Sequence, residues 1–362
     1  MTTQPILVMA GGTGGHVYPA LAVAQALRER SHNVVWLGTR RGIEARVVPA
    51  AGIDVEWVSV HGLRGKSVLT LLAAPFRLAW ALAQSLRIVA RHRPAAVLGM
   101  GGFVSGPGGL AAWLMRRPLV IHEQNAIAGL TNRLLARLAR VVLQAFPGSF
   151  SSRVHALTVG NPVRPEIAGL PDPARRLAGR TGPVRVLVLG GSQGALALNR
   201  IVPAALAMLP KERRPLVRHQ AGSRTLVEAG QAYHDADVEA ELVPFIDDMA
   251  GAYGWADLVV CRAGALTVAE VAAAGLPAIF VPFPAAVDNH QTANARFLVD
   301  AGAALILQEA DLDPGMLARA IGEWSADREA LRDRASAARA CAHPDALERI
   351  TGICLQLAEG NR

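Results

Sequence analysis

Short, almost wholly apolar runs alternate with longer Ala/Leu-rich segments in the first half of the chain. The runs ILVMA (6–10), VVWLG (34–38), VEWVSV (55–60), AAVLGM (95–100), LVIHE (119–123) and VVLQAF (141–146) read as strands. Helix-like segments at 19–30, 68–91, 107–115 and 128–139 lie between most of them. This β/α alternation predicts a parallel sheet covered by helices on both faces. Strands that are apolar throughout fit burial from both sides.

The pattern breaks at 161–184, where proline, glycine and charge cluster and where an inter-domain linker is expected. It restarts with VRVLVLGGSQGALALNRIV (184–202) and continues through strand-like runs at 216–221, 241–245, 257–262, 278–283 and 304–308. VMAGGTGG and VLGGSQG both read as strand, glycine pair, small polar residue, glycine and helix, about half a chain apart. The expected fold class is therefore α/β, with two doubly wound Rossmann-like domains facing across a cleft. The first domain is placed at 1–163 and the second at 164–343; a last helix, 344–358, can pack on either.

Composition narrows the class. The chain has 362 residues, a two-domain length. Its 51% hydrophobic content excludes disorder. The basic surplus of +8 is almost all arginine, with Lys66 and Lys211 the only lysines. It points either to anionic partners or to genomic base composition. Three cysteines without metal-finger spacing suggest a reducing compartment. The N-terminus lacks a signal-peptide pattern, and the longest apolar stretch (68–90) is interrupted by Pro75, Arg77, Gln84 and Arg87, so no membrane span is expected.

A glycine loop between strand and helix presents backbone N–H groups at a helix N-terminus, a ready anion site. GGTGGH fits neither the dinucleotide fingerprint, since Val17 stands at its third glycine, nor a nucleotide-hydrolase loop, since no Lys-Ser/Thr pair follows. Each loop alone could be a mere tight turn; two in matching positions favour a ligand. His16 could be a general base or a hydrogen-bonded structural histidine. GMGGFVSGPGG (99–109) and HEQNAIAGLTN (122–132) open at two further strand ends. In the second half, Glu270 lies one turn into a helix opened by Gly264, Ala265, Leu266 and Thr267. It could accept ribose hydroxyls or complement the helix dipole. DNHQTANA (288–295) suits a hydroxyl-rich ligand. The acid pairs Asp235/Asp237 and Asp311/Asp313 follow no apolar strand, and Asp313 reads as a helix cap, so no metal is expected.

Taken together, GGTGGHVYPALAVA, GLRGK (62–66), LGMGGFVSGPGG, HEQNAIAGLTN, VGNPVR (159–164), GGSQGA, FIDDMA (245–250) and CRAGALTVAEVAAAGLPAIFVPFP resemble the MurG family. Members are GT-B-fold, inverting transferases that add N-acetylglucosamine to lipid I, giving lipid II in peptidoglycan synthesis. The resemblance implies UDP-N-acetylglucosamine (UDP-GlcNAc) in the second domain and the lipid-linked acceptor at the first, with no cofactor and no nucleic acid. It assigns Ser192 to the diphosphate, Ile246 to the uracil, and Ala265, Leu266, Thr267, Val268, Ala269 and Glu270 to the diphosphate and ribose. Gln291 would read the sugar, and Arg164 would reach the donor from the linker. In the first domain, Thr13, Gly14, Gly15 and Asn125 would line the donor–acceptor cleft, with the first glycine loop facing the diphosphate of the lipid-linked acceptor. The base would be His16, with Glu123 second. One departure stands out: His290-Gln291 replaces the paired glutamines often found in the family.

A lipid-linked acceptor gives meaning to a basic, apolar stretch containing Leu72, Phe76, Arg77, Trp80 and Arg87, and to a second group around Trp113. These suit peripheral docking on an anionic surface at the cytoplasmic face of the membrane, near other cell-wall synthesis proteins. The bland reading is a buried helix with a solvated edge. The competing function is a UDP-GlcNAc epimerase of the same fold.

Overall fold

The structure is a computed structural model that describes residues 4–60, 74–191, 194–284 and 289–360. The motif at 62–66 and the candidate residues Leu72 and Ser192 lie outside the described residues. The chain divides into two units, Met1–Pro162 with Pro344–Arg362, and Val163–His343.

The first unit contains β1 (Ile6–Met9), α1 (Gly14–Glu29), β2 (Val34–Gly38), α2 (Glu44–Ala50), β3 (Asp54–Trp57), α3 (Ala74–His92), β4 (Ala96–Gly99), α4 (Ser105–Leu114), β5 (Leu119–Glu123), α5 (Leu130–Leu135), β6 (Val141–Gln144) and β7 (Leu157–Thr158). Among the described residues its strands form one parallel sheet, ordered β3-β2-β1-β4-β5-β6-β7.

The second unit contains α6 (Pro165–Ala168), α7 (Pro173–Arg176), β8 (Arg185–Leu189), α8 (Leu196–Ala207), β9 (Leu216–Gln220), α9 (Leu226–Asp235), β10 (Glu241–Val243), α10 (Met249–Trp255), β11 (Leu258–Cys261), α11 (Ala265–Ala274), β12 (Ala278–Phe280), α12 (His290–Val299), β13 (Ala304–Ile306), α13 (Pro314–Ala326) and α14 (Arg328–Ala340). Its parallel sheet runs β10-β9-β8-β11-β12-β13. Counted from its own first strand, that order repeats the first six positions of the other sheet. Both are doubly wound.

Side-chain alternation explains the wholly apolar strands. Ile6 and Val8 of β1 point into a cluster with Val17 and Leu27 of α1, whereas Leu7 and Met9 point into a second cluster with Ala81 and Val89 of α3 and Ala111 of α4. The last helix, α15 (Ala346–Glu359), joins the first of these clusters through Ile350, Cys354 and Ala358. Glu348 on it pairs with Arg30. The chain end thus belongs to the first unit.

Two expected elements shift. α1 begins at Gly14 rather than at 19, because the N–H groups of His16 and Val17 both bond the Thr13 carbonyl (3.1 and 3.2 Å). The 161–184 stretch is not a free tether. It folds into α6 and α7, and Arg176 donates to the carbonyls of Ala274 and Gly275 at the end of α11. Arg339 holds Ala168 and Leu170 (3.1 and 3.2 Å) in the same way. Chain reversal in each sheet falls between β1 and β4, and between β8 and β11. Ligand sites of such sheets lie outside the strand ends at these switch points.

Candidate active site

At the first switch point, the loops after β1 and β4 touch. Gly102 (φ +81°) approaches so closely that a Cβ there would lie 2.3 Å from the Gly11 carbonyl oxygen. The half-buried His16 ring packs on Gly101 (φ +97°), where a Cβ would lie 2.5 Å from Cδ2. Thr13 Oγ1 lies 3.4 Å from His16 Nδ1. Backbone packing on one side and Thr13 on the other hold the imidazole at the carboxyl end of the sheet.

The opening loop is only partly an anion cradle. Gly12 donates its N–H to Glu44 Oε2 (3.0 Å), and Glu44 Oε1 accepts from Thr39 N (3.0 Å) and Thr39 Oγ1 (2.7 Å). Glu44 is wholly buried, so its carboxylate braces the loop from beneath. The amides of Gly14 and Gly15 occupy the first two positions of α1, where a helix has no partner for them. Those two, not the Gly12 amide, can meet a phosphate. The Glu44 brace was not legible in the sequence; an acid at a helix start reads as a dipole partner.

Glu123, the second candidate base, is enclosed by hydrogen-bond donors. It is 3% exposed, and its Oε1 accepts from Asn125 N (3.0 Å) and Asn125 Nδ2 (3.2 Å). Its Oε2 accepts from Gly129 N (3.1 Å) and Asn132 Nδ2 (2.9 Å). Four donors occupy the carboxylate, so it orders the loop that carries the half-buried Asn125. The neighbouring His122 is fully buried, with Nε2 2.9 Å from the Gly160 carbonyl, so Nε2 carries the proton. Burial pushes its pKa down to about 4, outweighing the Gly160 hydrogen bond and the Glu123 charge.

In the second unit, β11 ends at Cys261, and α11 starts at Ala265 behind Gly264. Ala265, Leu266 and Thr267 form the first turn, and Glu270 follows on the next. Glu270 Oε1 accepts from Arg164 Nη2 (3.1 Å) and Oε2 from the Tyr253 hydroxyl (3.1 Å). Burial raises the Glu270 pKa, and Arg164 and Tyr253 oppose that rise. Tyr253 is fully enclosed, and burial followed by the Glu270 charge pushes its phenol well above the ordinary range. Tyr253 was missed in the sequence because a tyrosine in MAGAYGW reads as core.

The Val268 side chain is fully buried, and its N–H bonds the Gly264 carbonyl (2.9 Å), so neither faces outward. Ala269 is half-buried and can offer only its methyl group. Gln291, on the first turn of α12, is aimed by its own oxygen, which accepts from Phe283 N (2.9 Å) and Ala263 N (3.3 Å). The half-buried Ile246 precedes α10, whose cap is Asp248, accepting from Gly251 N (2.8 Å). Asp313 caps α13 through Met316 N (2.9 Å), as expected of the second acid pair.

On the first unit, α3 presents Phe76 at 81% exposure and Trp80 at 53%, with Arg77 exposed between them and Arg87 stacked 5.9 Å over the Trp80 ring. α3 packs against α4, which exposes Trp113 and Leu114. α4 packs against α5, which exposes Leu130 and Leu134 beside Arg133. The α5 contribution was missed, although LTNRLLAR has the spacing of one face. An ordinary buried helix does not leave phenylalanine and tryptophan in water; patches of this kind mark binding surfaces. No helix among the described residues is long and apolar enough to cross a membrane.

Much of the arginine surplus has a structural use. Arg176, Arg180 and Arg339 cap the carbonyl ends of α10 and α11, and Arg180 also pairs with the buried Asp257. Burial, then the neighbouring Arg180 and Arg339, bring Arg176 down to about 10.

Comparison with known proteins finds a two-domain family. Residues 6–144 match the glycosyltransferase family 28 N-terminal domain and residues 185–350 its C-terminal domain. A relative from Alkalilimnicola ehrlichii is 59% identical over 356 residues, covering 98% of this chain and 99% of the relative. One from Nitrosococcus oceani is 58% identical over 355 residues, with the same coverage. Both are named UDP-N-acetylglucosamine–N-acetylmuramyl-(pentapeptide) pyrophosphoryl-undecaprenol N-acetylglucosamine transferase. The crystal structure of Acinetobacter baumannii MurG superposes with a TM-score of 0.88 at 41% identity, covering 98% of this chain and 99% of that one. The glycotransferase of kitacinnamycin, at 18% identity and a TM-score of 0.70 over 98% of this chain and 99% of its own, shares the fold.

Proposed function

Because this chain belongs to the MurG family, we propose that it transfers N-acetylglucosamine from UDP-GlcNAc to the C4 hydroxyl of the N-acetylmuramyl unit of undecaprenyl-pyrophosphoryl-MurNAc-pentapeptide. The observation that carries this reading is identity of 59% running end to end, through both the N- and the C-terminal domain. The alternative epimerase reading needs no acceptor site and leaves the exposed aromatic face of α3 and α4 without a purpose.

The second unit takes the donor. The first turn of α11 supplies the Leu266 and Thr267 amides to the diphosphate, with the helix dipole behind them. Ser192 joins them on the resemblance alone. Ile246 holds the uracil through its backbone, and Glu270 takes the ribose hydroxyls. Arg164, already beside Glu270, is placed for the diphosphate charge. Gln291, with its oxygen held by two backbone amides, turns its amide NH2 toward the sugar. The first unit takes the acceptor, using Thr13, the Gly14 and Gly15 amides and Asn125.

The reaction is an inverting displacement. The muramyl hydroxyl attacks the anomeric carbon, UDP departs, and a β-1,4 bond forms. His16 accepts the hydroxyl proton, its ring directed by Gly101 and Thr13. Positioning on rigid strand ends and N–H donors at the diphosphate supply most of the acceleration. The apolar, basic face of α3, α4 and α5 seats the enzyme on the anionic cytoplasmic face of the membrane, where the lipid-linked acceptor resides.

The assignments are tested by pairing turnover with UDP binding. His16→Ala is expected to lose at least about a hundredfold in kcat with an unchanged Kd for UDP. Glu270→Gln is expected to weaken UDP. Near-normal turnover by His16→Ala would remove it as the base.

A further inference from the structure

The carboxylate assigned to the ribose is gripped from inside the fold by a residue that the reaction never touches. We infer that Tyr253 is a positioning residue for ribose recognition, its hydroxyl fixing Glu270 so that the second carboxylate oxygen faces the donor. The inference rests on the reading of Glu270 as the ribose contact.

Glu270 has three rotatable side-chain bonds, and presenting one carboxylate oxygen to the ribose hydroxyls needs the group in one orientation. Two donors determine that orientation. The Tyr253 hydroxyl donates to Oε2 (3.1 Å) from a fully enclosed ring, and Arg164 donates to Oε1 (3.1 Å) from a side chain 48% exposed. The tyrosine oxygen therefore marks the closed side of the carboxylate, and Oε1 marks the open side. Arg164 sits on a short linker helix boundary and is free to trade its partner for a phosphate; Tyr253 is not. Tyr253 stands on α10, which begins three residues after Ile246 and packs against α11. One short helix thus carries, through Tyr253, the hydrogen bond that links the segment assigned to the uracil with the side chain on α11 assigned to the ribose. Preorganisation of this kind raises affinity by removing the entropy of ordering the side chain.

The test uses the full-length protein and two probes, UDP and 2′,3′-dideoxy-UDP, titrated calorimetrically against wild type, Tyr253→Phe, Glu270→Gln and the double variant. Losing a hydrogen bond to a charged group predicts about tenfold weaker UDP binding by Tyr253→Phe. Dideoxy-UDP, which has no diol, is expected to bind that variant within about twofold of wild type, and adding Tyr253→Phe to Glu270→Gln should change UDP binding by no more than about twofold. Equal weakening of both probes by Tyr253→Phe would make the tyrosine a mere packing residue and overturn the inference. So would unchanged UDP binding. If Glu270→Gln itself fails to distinguish the two probes, the ribose assignment fails, and the inference with it; if Glu270→Gln distinguishes them and Tyr253→Phe does not, only the inference fails. Tyr253→Met, which keeps apolar bulk in the same space, repeats the comparison should the phenylalanine variant be poorly folded.

Discussion

Replacing Glu123 with glutamine separates a brace from a base. The carboxylate accepts four hydrogen bonds, two at each oxygen. Glutamine keeps one acceptor oxygen and turns an NH2 group toward the other pair of donors. Two donors then face a third, whichever way the amide is flipped. A buried donor left without an acceptor costs about 1–3 kcal/mol. If the NH2 faces Gly129 and the buried Asn132, the sum is about 2–6 kcal/mol; facing the half-buried Asn125, where water reaches, the loss is nearer 2 kcal/mol. The amide will choose the cheaper side, so a loss of about 2–3 kcal/mol is expected. Urea unfolding of Glu123→Gln reads this directly. Turnover should fall because Asn125 loses its anchor, while UDP affinity, which we assign to the second unit, should stay at the wild-type value. Wild-type unfolding stability combined with abolished turnover would refute the reasoning and restore Glu123 as a proton acceptor.

Three further outcomes follow. His122 and His219 are buried with folded pKa values pushed down to about 4 by desolvation, below the ordinary 6.5. The unfolded chain therefore takes up protons that the native one refuses. Stability is full above pH 6.5 and falls as the pH drops toward 4, by on the order of 2 kcal/mol per histidine at pH 5; flat urea midpoints between pH 7 and pH 5 would contradict this. Arg180→Ala strips the 3%-exposed Asp257 side chain of its principal cation and uncaps α10, so the second unit should lose about 3–5 kcal/mol, visible as a lowered Tm that Arg180→Lys only partly restores. Phe76→Ser with Trp80→Ser should weaken binding to anionic vesicles by about tenfold or more, leaving UDP binding intact; equal binding by wild type and variant would remove α3 from the membrane surface.

The fold was largely written in the apolar runs. Strands buried on both faces need no alternation, so Ile6–Met9 and Leu258–Cys261 stand out from any polar background. Boundaries set by local hydrogen bonds did not stand out: α1 starts at Gly14 because Thr13 caps it with its carbonyl, which no residue type announces. Position was legible for residues on a strand end or a helix start: His16 and Gln291 each lie on the first turn of a helix, and Glu270 one turn into another. It was illegible where a role depends on what lies underneath. Glu44 and Glu123 are acids that look catalytic or superficial in sequence and prove to be enclosed braces. Tyr253 looks like core and proves to donate its hydroxyl to the Glu270 carboxylate. Val268 looks like part of a binding run, but helical periodicity turns it inward. The arginine surplus was open to more than one reading in sequence, and several guanidinium groups hold carbonyls that only the tertiary fold brings near.

The central claim is that this chain joins a UDP-linked sugar to a lipid-linked acceptor. Release of UDP from UDP-GlcNAc, followed with and without undecaprenyl-pyrophosphoryl-MurNAc-pentapeptide, with the product weighed by mass spectrometry, tests it most directly. The account predicts UDP release that depends on the lipid and a product heavier by one N-acetylhexosamine residue. UDP release at the same rate without the lipid, or exchange of the sugar's C2 hydrogen with solvent and no heavier product, would contradict it.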